Sequence, residues 1–166
     1  MKKLLPLIIN GASLVLSIIA LFLGFAPLAA NYTTSIGGHS TTVNIDNSDS
    51  LFVMLSDSES LKGVGIVIII FLALVVVLSA LVVVANLLKK SCKYEWTINA
   101  GVALLSLIAG ILYFAIPAIT NGSLKVGGVT INGTIGLAAG PVFAAIFALI
   151  VAVVNILPVL KALLKK

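Results

Sequence analysis

Arginine is absent from the 166 residues, cysteine, histidine and tryptophan occur once each, and charged residues make up only 9% of the chain. Without arginine there is no guanidinium fork of the kind that phosphate and carboxylate sites recruit. The net charge of +5, carried entirely by lysine, therefore gives no reason to expect nucleic acid or a nucleotide as partner. A single thiol, Cys92, excludes an intrachain disulfide, and with His39 as the one imidazole no zinc ligand set forms within the chain. No Gly-Lys-Ser/Thr phosphate loop, Gly-x-Ser-x-Gly elbow or His-Glu-x-x-His pair occurs. The chain is thus expected to be no enzyme, with no catalytic, cofactor-binding or metal residues and no cofactor. What it has instead is apolar surface: 61% apolar residues and a mean hydropathy of +1.28. A soluble globule carries about 45–50% apolar and 25% charged residues, so the expected solvent is a lipid bilayer.

Four apolar stretches, Leu5–Ala29, Gly63–Leu88, Thr97–Ile119 and Gly136–Leu160, reach the length of about 20 residues that a helix needs to cross a hydrocarbon core. None contains Asp, Glu, Lys, Arg or His. Lysines, which mark cytoplasmic segments, set the orientation. Lys2, Lys3, Lys89, Lys90, Lys93, Lys161, Lys165 and Lys166 fall on one side and only Lys62 and Lys125 on the other. Both termini are therefore expected in the cytoplasm of a multi-pass plasma-membrane protein. Asp46, Asp49, Asp57 and Glu59 lie outside, and Tyr32, Tyr94 and Trp96 stand at span ends, where amphipathic rings favour the headgroups. The start also resembles a secretory signal peptide, but its apolar run of over twenty residues exceeds the usual 7–15. It is read as a retained span.

Shifted by 89 places, Ile9–Ala26 aligns with Ile98–Ala115, and Asn10, Ser17 and Phe25 fall on Asn99, Ser106 and Phe114. With one residue inserted, Gly37-Gly38 meets Gly127-Gly128. At a shift of 76, Leu87-Leu88-Lys89-Lys90 meets Leu163-Leu164-Lys165-Lys166. The pattern predicts a duplicated two-helix hairpin, residues 1–90 and 91–166, with both copies oriented alike across the membrane. The expected fold is an all-α four-transmembrane-helix bundle carrying a small extracellular β-sheet from its two outer loops.

Those loops carry the β signal. Thr-, Val- and Ile-rich runs flank Gly37-Gly38 and again Gly127-Gly128, and a glycine pair accepts the positive φ of a tight hairpin turn. Two isolated hairpins are marginal, so they are expected to join. Leu51–Leu55 is a candidate fifth strand, and Ser56 with Glu59 a capping box for the second helix. His39 reads as a solvated residue beside a turn. Asp46-Asn-Ser-Asp-Ser lacks the glycine and distal glutamate of a calcium loop. The acceptor patterns at Asn31, Asn121 and Asn132 match glycosylation sites, and Cys92 sits where palmitoylation occurs in eukaryotes, although an unmodified thiol is the expectation.

Within the spans the polar residues are Asn10, Ser13, Ser17, Ser79, Asn86, Asn99, Ser106 and Asn155. No intramembrane carboxylate or base is expected, which weighs against active transport. Small residues spaced by four, Gly136, Gly140, Ala144, Ala148 and Ala152, let helix backbones approach closely. Ser13, Ser17 and Gly24 on the first span, and Ser106 and Gly110 on the third, are shorter versions. The second span, Val64–Val84, nearly all β-branched or Leu, is expected to face lipid.

Four spans, inner termini, a long β-rich first loop and a shorter second one resemble the claudin-type tetraspan proteins. That family's Trp-Gly-Leu-Trp signature and cysteine pair are absent from Asn31–Lys62, so no site residue carries over. The resemblance implies an adhesion or barrier role. Three functions follow: a structural or adhesion-type scaffold acting through its outer sheet and small-residue helix faces, as a homo-oligomer or with other membrane proteins; an oligomeric channel or passive pore, with Asn10 and Asn99 as a candidate polar lining shared among subunits; or an accessory subunit of a larger complex.

Overall fold

The structure, a computed structural model, describes residues 4–26, 29–36, 39–45, 59–88, 94–120, 122–126 and 129–164. Among these residues it is mostly helical, with four helices and one small sheet. The helices are α1 (Leu4–Leu23), α2 (Glu59–Leu87), α3 (Glu95–Thr120) and α4 (Ala139–Leu163). The strands are β1 (Ala29–Ile36), β2 (His39–Ile45), β3 (Gly122–Val126) and β4 (Val129–Gly136). Each half of the chain thus runs helix, hairpin, helix.

By length and composition α2, α3 and α4 are long and apolar enough to cross a membrane, whereas the apolar run described in α1, Leu7–Leu23, is shorter. The β-branched run of α2 is helical despite its weak intrinsic preference, because a helix satisfies every backbone group within its own segment where no water does so.

Helix α1 packs against α2 and α4, and α3 against the same two, so the four form a ring of sequential neighbours. The buried positions explain why. They recur at alternating steps of three and four: Asn10, Ser13, Ser17 and Ala20 on α1, with Gly24 just after it; Gly65, Ile68, Leu72, Val75, Ser79 and Val82 on α2; Asn99, Val102, Ser106, Ala109, Tyr113 and Ile116 on α3; Pro141, Ala144, Ala148, Val151 and Asn155 on α4. That spacing is the seam of a left-handed bundle with interdigitating side chains. Under the shift of 89, Asn10, Ser17 and Ala20 fall on Asn99, Ser106 and Ala109, all buried. Outside the seam the helices are covered by apolar side chains such as Val15, Phe22, Val77, Leu81, Ile111 and Val153, each more than half exposed.

The expectation that the second span faces lipid is corrected here in part. One of its faces lies in the core, and it escaped notice because α2 is apolar all round, leaving few polar residues to mark which side is which.

The sheet is antiparallel, in the order β2-β1-β4-β3. Each hairpin pairs internally, Thr33 opposite Thr42 and Lys125 opposite Thr130, and the two join through β1 and β4, with Ala29 opposite Gly136 and Thr33 opposite Asn132. Gly136 was expected on the last helix as the first residue of its small-residue stripe. It is instead the last residue of β4, and α4 begins at Ala139. Likewise α1 ends at Leu23, short of the expected Ala29, which belongs to β1. The candidate turn residues Gly37, Gly38, Gly127 and Gly128, the candidate strand Leu51–Leu55, the residues between Ser56 and Glu59, and Cys92 lie outside the described residues.

Candidate functional site

The interior of the bundle is polar toward the end away from the sheet and apolar toward the sheet. Near the sheet, Ile68, Leu72, Ala109, Tyr113, Ile116 and Ala144 form one buried cluster. Beyond it come Val75, Val102 and Val151, and among and below these lie the buried polar side chains. Asn10, Ser13, Ser17, Ser79, Asn99, Ser106 and Asn155 are all at most 3% exposed.

At the far end three helices meet on one carboxylate. Asn10 on α1 donates from Nδ2 to Glu95 Oε1 at 3.2 Å, and Asn86 on α2 donates to the same oxygen at 3.3 Å. Glu95 opens α3, where a negative charge is favoured by the orphan N–H groups of the first turn. This carboxylate was missed, since the third span was expected to start at Thr97. The helix begins two residues earlier, at Glu95, whose carboxylate reaches Asn10 near the start of the apolar run of α1.

About one turn further in, Asn155 on α4 donates from Nδ2 to Ser13 Oγ at 2.7 Å and to the Val151 carbonyl at 2.8 Å. Ser17 returns its hydroxyl to the Ser13 carbonyl at 2.7 Å, the local bond by which serine is accommodated in a helix. Ser13, which looked like a small spacer, is therefore a hydrogen-bonding partner. Asn10 and Asn99, the candidate lining shared among subunits, face the interior of one chain. Their seam spacing, read together with that of Ser106 and Tyr113, is the signal that places them there.

The small residues hold the helices close. A Cβ on Gly110 of α3 would stand 2.8 Å from Leu149 Cδ2 and 3.3 Å from the Ala145 carbonyl on α4, and one on Gly140 would meet Ala26. Gly24 lies against the Tyr113 hydroxyl on the diagonal helix. Ala144, Ala148 and Ala152 are buried, so of the stripe on the last helix all but Gly136 serve packing.

The sheet is the second candidate surface. Thr33 and Thr42 pair across β1 and β2 through their hydroxyls at 3.2 Å, and His39, Ser40, Thr41 and Thr42 are exposed. Among the described residues no three His, Cys, Asp or Glu side chains group so as to hold a metal. The chain matches no family model, no curated protein and no solved structure.

Proposed function

We propose that the chain is a non-enzymatic, four-span membrane protein, built by duplication of a two-helix hairpin, that acts as a structural or adhesion-type scaffold in the plasma membrane. Both termini lie in the cytoplasm, as the lysine distribution demands, and α1 is the fourth span. One observation carries the reading: both hairpins merge into a single four-stranded sheet at one end of a bundle whose flanks are apolar. Such flanks suit lipid, which leaves the polar Thr-rich sheet as the surface offered to other molecules. The strand β2 at one sheet edge has seven residues without a Lys, Asp, Glu or Pro, the residue types that discourage edge pairing.

A pore lined between subunits is less well supported, because the asparagines and serines such a lining would use are turned into the interior of one bundle. An accessory role in a larger complex would use the same outer sheet.

Reporter fusions at Ser48 and Lys166 test the topology, with opposite sides expected. Reconstitution into liposomes with the sheet outward tests the role. Clustering of the liposomes, or cross-linked dimers through the sheet, is expected; dispersed liposomes holding only monomer would remove the scaffold reading.

A further inference from the structure

Five buried polar atoms of the interior find no hydrogen-bond partner among the described residues: Asn99 Nδ2, Asn155 Oδ1 and the hydroxyls of Ser79, Ser106 and Tyr113. They come from three helices, and each of their residues is at most 3% exposed. Buried polar groups are as a rule satisfied by protein or by ordered water, so five in one bundle need an account.

Their heights along the bundle supply it. With a rise of about 1.5 Å per helical residue, Asn99 stands about 6 Å above Glu95, and Ser106 about 16 Å. Ser79 stands about 10 Å above Asn86, and Ser17 the same distance above Asn10, the two asparagines tied at the Glu95 level. The Tyr113 hydroxyl lies beside Gly24, which is about 21 Å above Asn10. Successive polar rungs are thus roughly 4–6 Å apart. One bridging water joins two groups about 5.6 Å apart, as two hydrogen bonds of about 2.8 Å each. Since none of the five atoms finds a protein partner, and the axial steps between their levels are close to the reach of one bridging water, single waters suit the intervals.

We propose that the axis of the bundle holds a file of ordered water molecules that enters beside Glu95 and ends at Tyr113. At the entrance the Glu95 carboxylate and the carboxamides of Asn10 and Asn86 offer both acceptors and donors. Inside, Asn99 donates, Asn155 accepts through Oδ1, and the serine hydroxyls do both, so each water meets the two or more polar partners it needs. Val75, Val102 and Val151 wall the middle stretch. Ile68, Leu72, Ile116 and Ala144 close the track around Tyr113, so it is a shaft open at one end, with water as its ligand.

Solid-state NMR of the full chain in lipid bilayers tests this by following magnetisation transferred from water protons. The Asn99 carboxamide, the Ser79 and Ser106 hydroxymethyl groups and the Tyr113 ring are expected to respond several times faster than the methyls of Leu72 and Ala144. Equally slow build-up at both sets would show a dry core and overturn the file. Ser106→Val, which plugs the track midway, is expected to abolish the response at Tyr113 and leave that at Asn99. Loss at Asn99 with Tyr113 unaffected would place the mouth at the sheet end and overturn the direction. The wild-type comparison decides the presence of water even if the variant does not fold.

Discussion

The Asn155 side chain on α4 reaches the Ser13 hydroxyl on α1 at 2.7 Å, joining the first and last helices across 142 residues of chain. Both residues are buried, and the ring of helices closes at this contact.

Removing the hydroxyl by Ser13→Ala leaves the Val151 carbonyl as the acceptor for Asn155 Nδ2. Side-chain hydrogen bonds between membrane helices are worth on average about 0.6 kcal/mol, with a maximum near 1.7. A double-mutant cycle of Ser13→Ala with Asn155→Ala, read by reversible unfolding in bicelles, is expected to return a coupling in that range. A coupling of zero would show that the two side chains act independently.

Glu95 accepts from both Asn10 and Asn86, so Glu95→Ala strands two carboxamides at once. Each stranded group costs about 1–3 kcal/mol when buried, with the lower end expected here because these contacts are only part-buried. Glu95→Gln keeps an acceptor oxygen and is expected to retain most of the stability. Melting in detergent, compared for the two variants, checks the order.

Gly140→Leu drives a side chain into Ala26 and the Leu23 carbonyl. Overpacking costs typically about 1–3 kcal/mol. Val77→Leu on the outward face of α2, where Val77 is 55% exposed, is expected to change little. Equal melting temperatures for both variants would remove the close approach at Gly140.

Strand β1 is paired on both sides, with β2 and with β4, so every N–H of its middle belongs to a ladder. Thr34→Pro removes one donor and is expected to dissolve the sheet while the bundle persists. Circular dichroism should keep the helical signal, and amide exchange should accelerate selectively in residues 29–45 and 122–136.

The helices and the two hairpins are legible in the sequence because long apolar runs and Gly-Gly pairs flanked by β-branched residues have few other physical solutions. Which strands meet is not legible there. Strand β1 follows α1 closely and β4 is two residues from α4, and α1 and α4 are neighbours in the ring, so these strands are delivered side by side. That is a fact of helix packing, not of strand composition. Gly136 was misplaced for a related reason: a spacing of four ran on through a glycine that pairing with Ala29 claims for the sheet. Glu95 stayed hidden because a single charge at the edge of an apolar run looks like a boundary, and only the convergence of Asn10 and Asn86 from two other helices turns it into a site.

The links between sheet and helices are unequal. One residue separates α3 from β3, two separate β4 from α4, and five separate α1 from β1, whereas thirteen, 46–58, separate β2 from α2. The sheet is therefore a clasp on three helices, α1, α3 and α4, each of which meets a strand within five residues. A pull on the sheet is thus transmitted directly to α1, α3 and α4. Cutting the chain between β2 and α2 should accordingly leave the pairing of β1 with β4, and with it the clasp, intact.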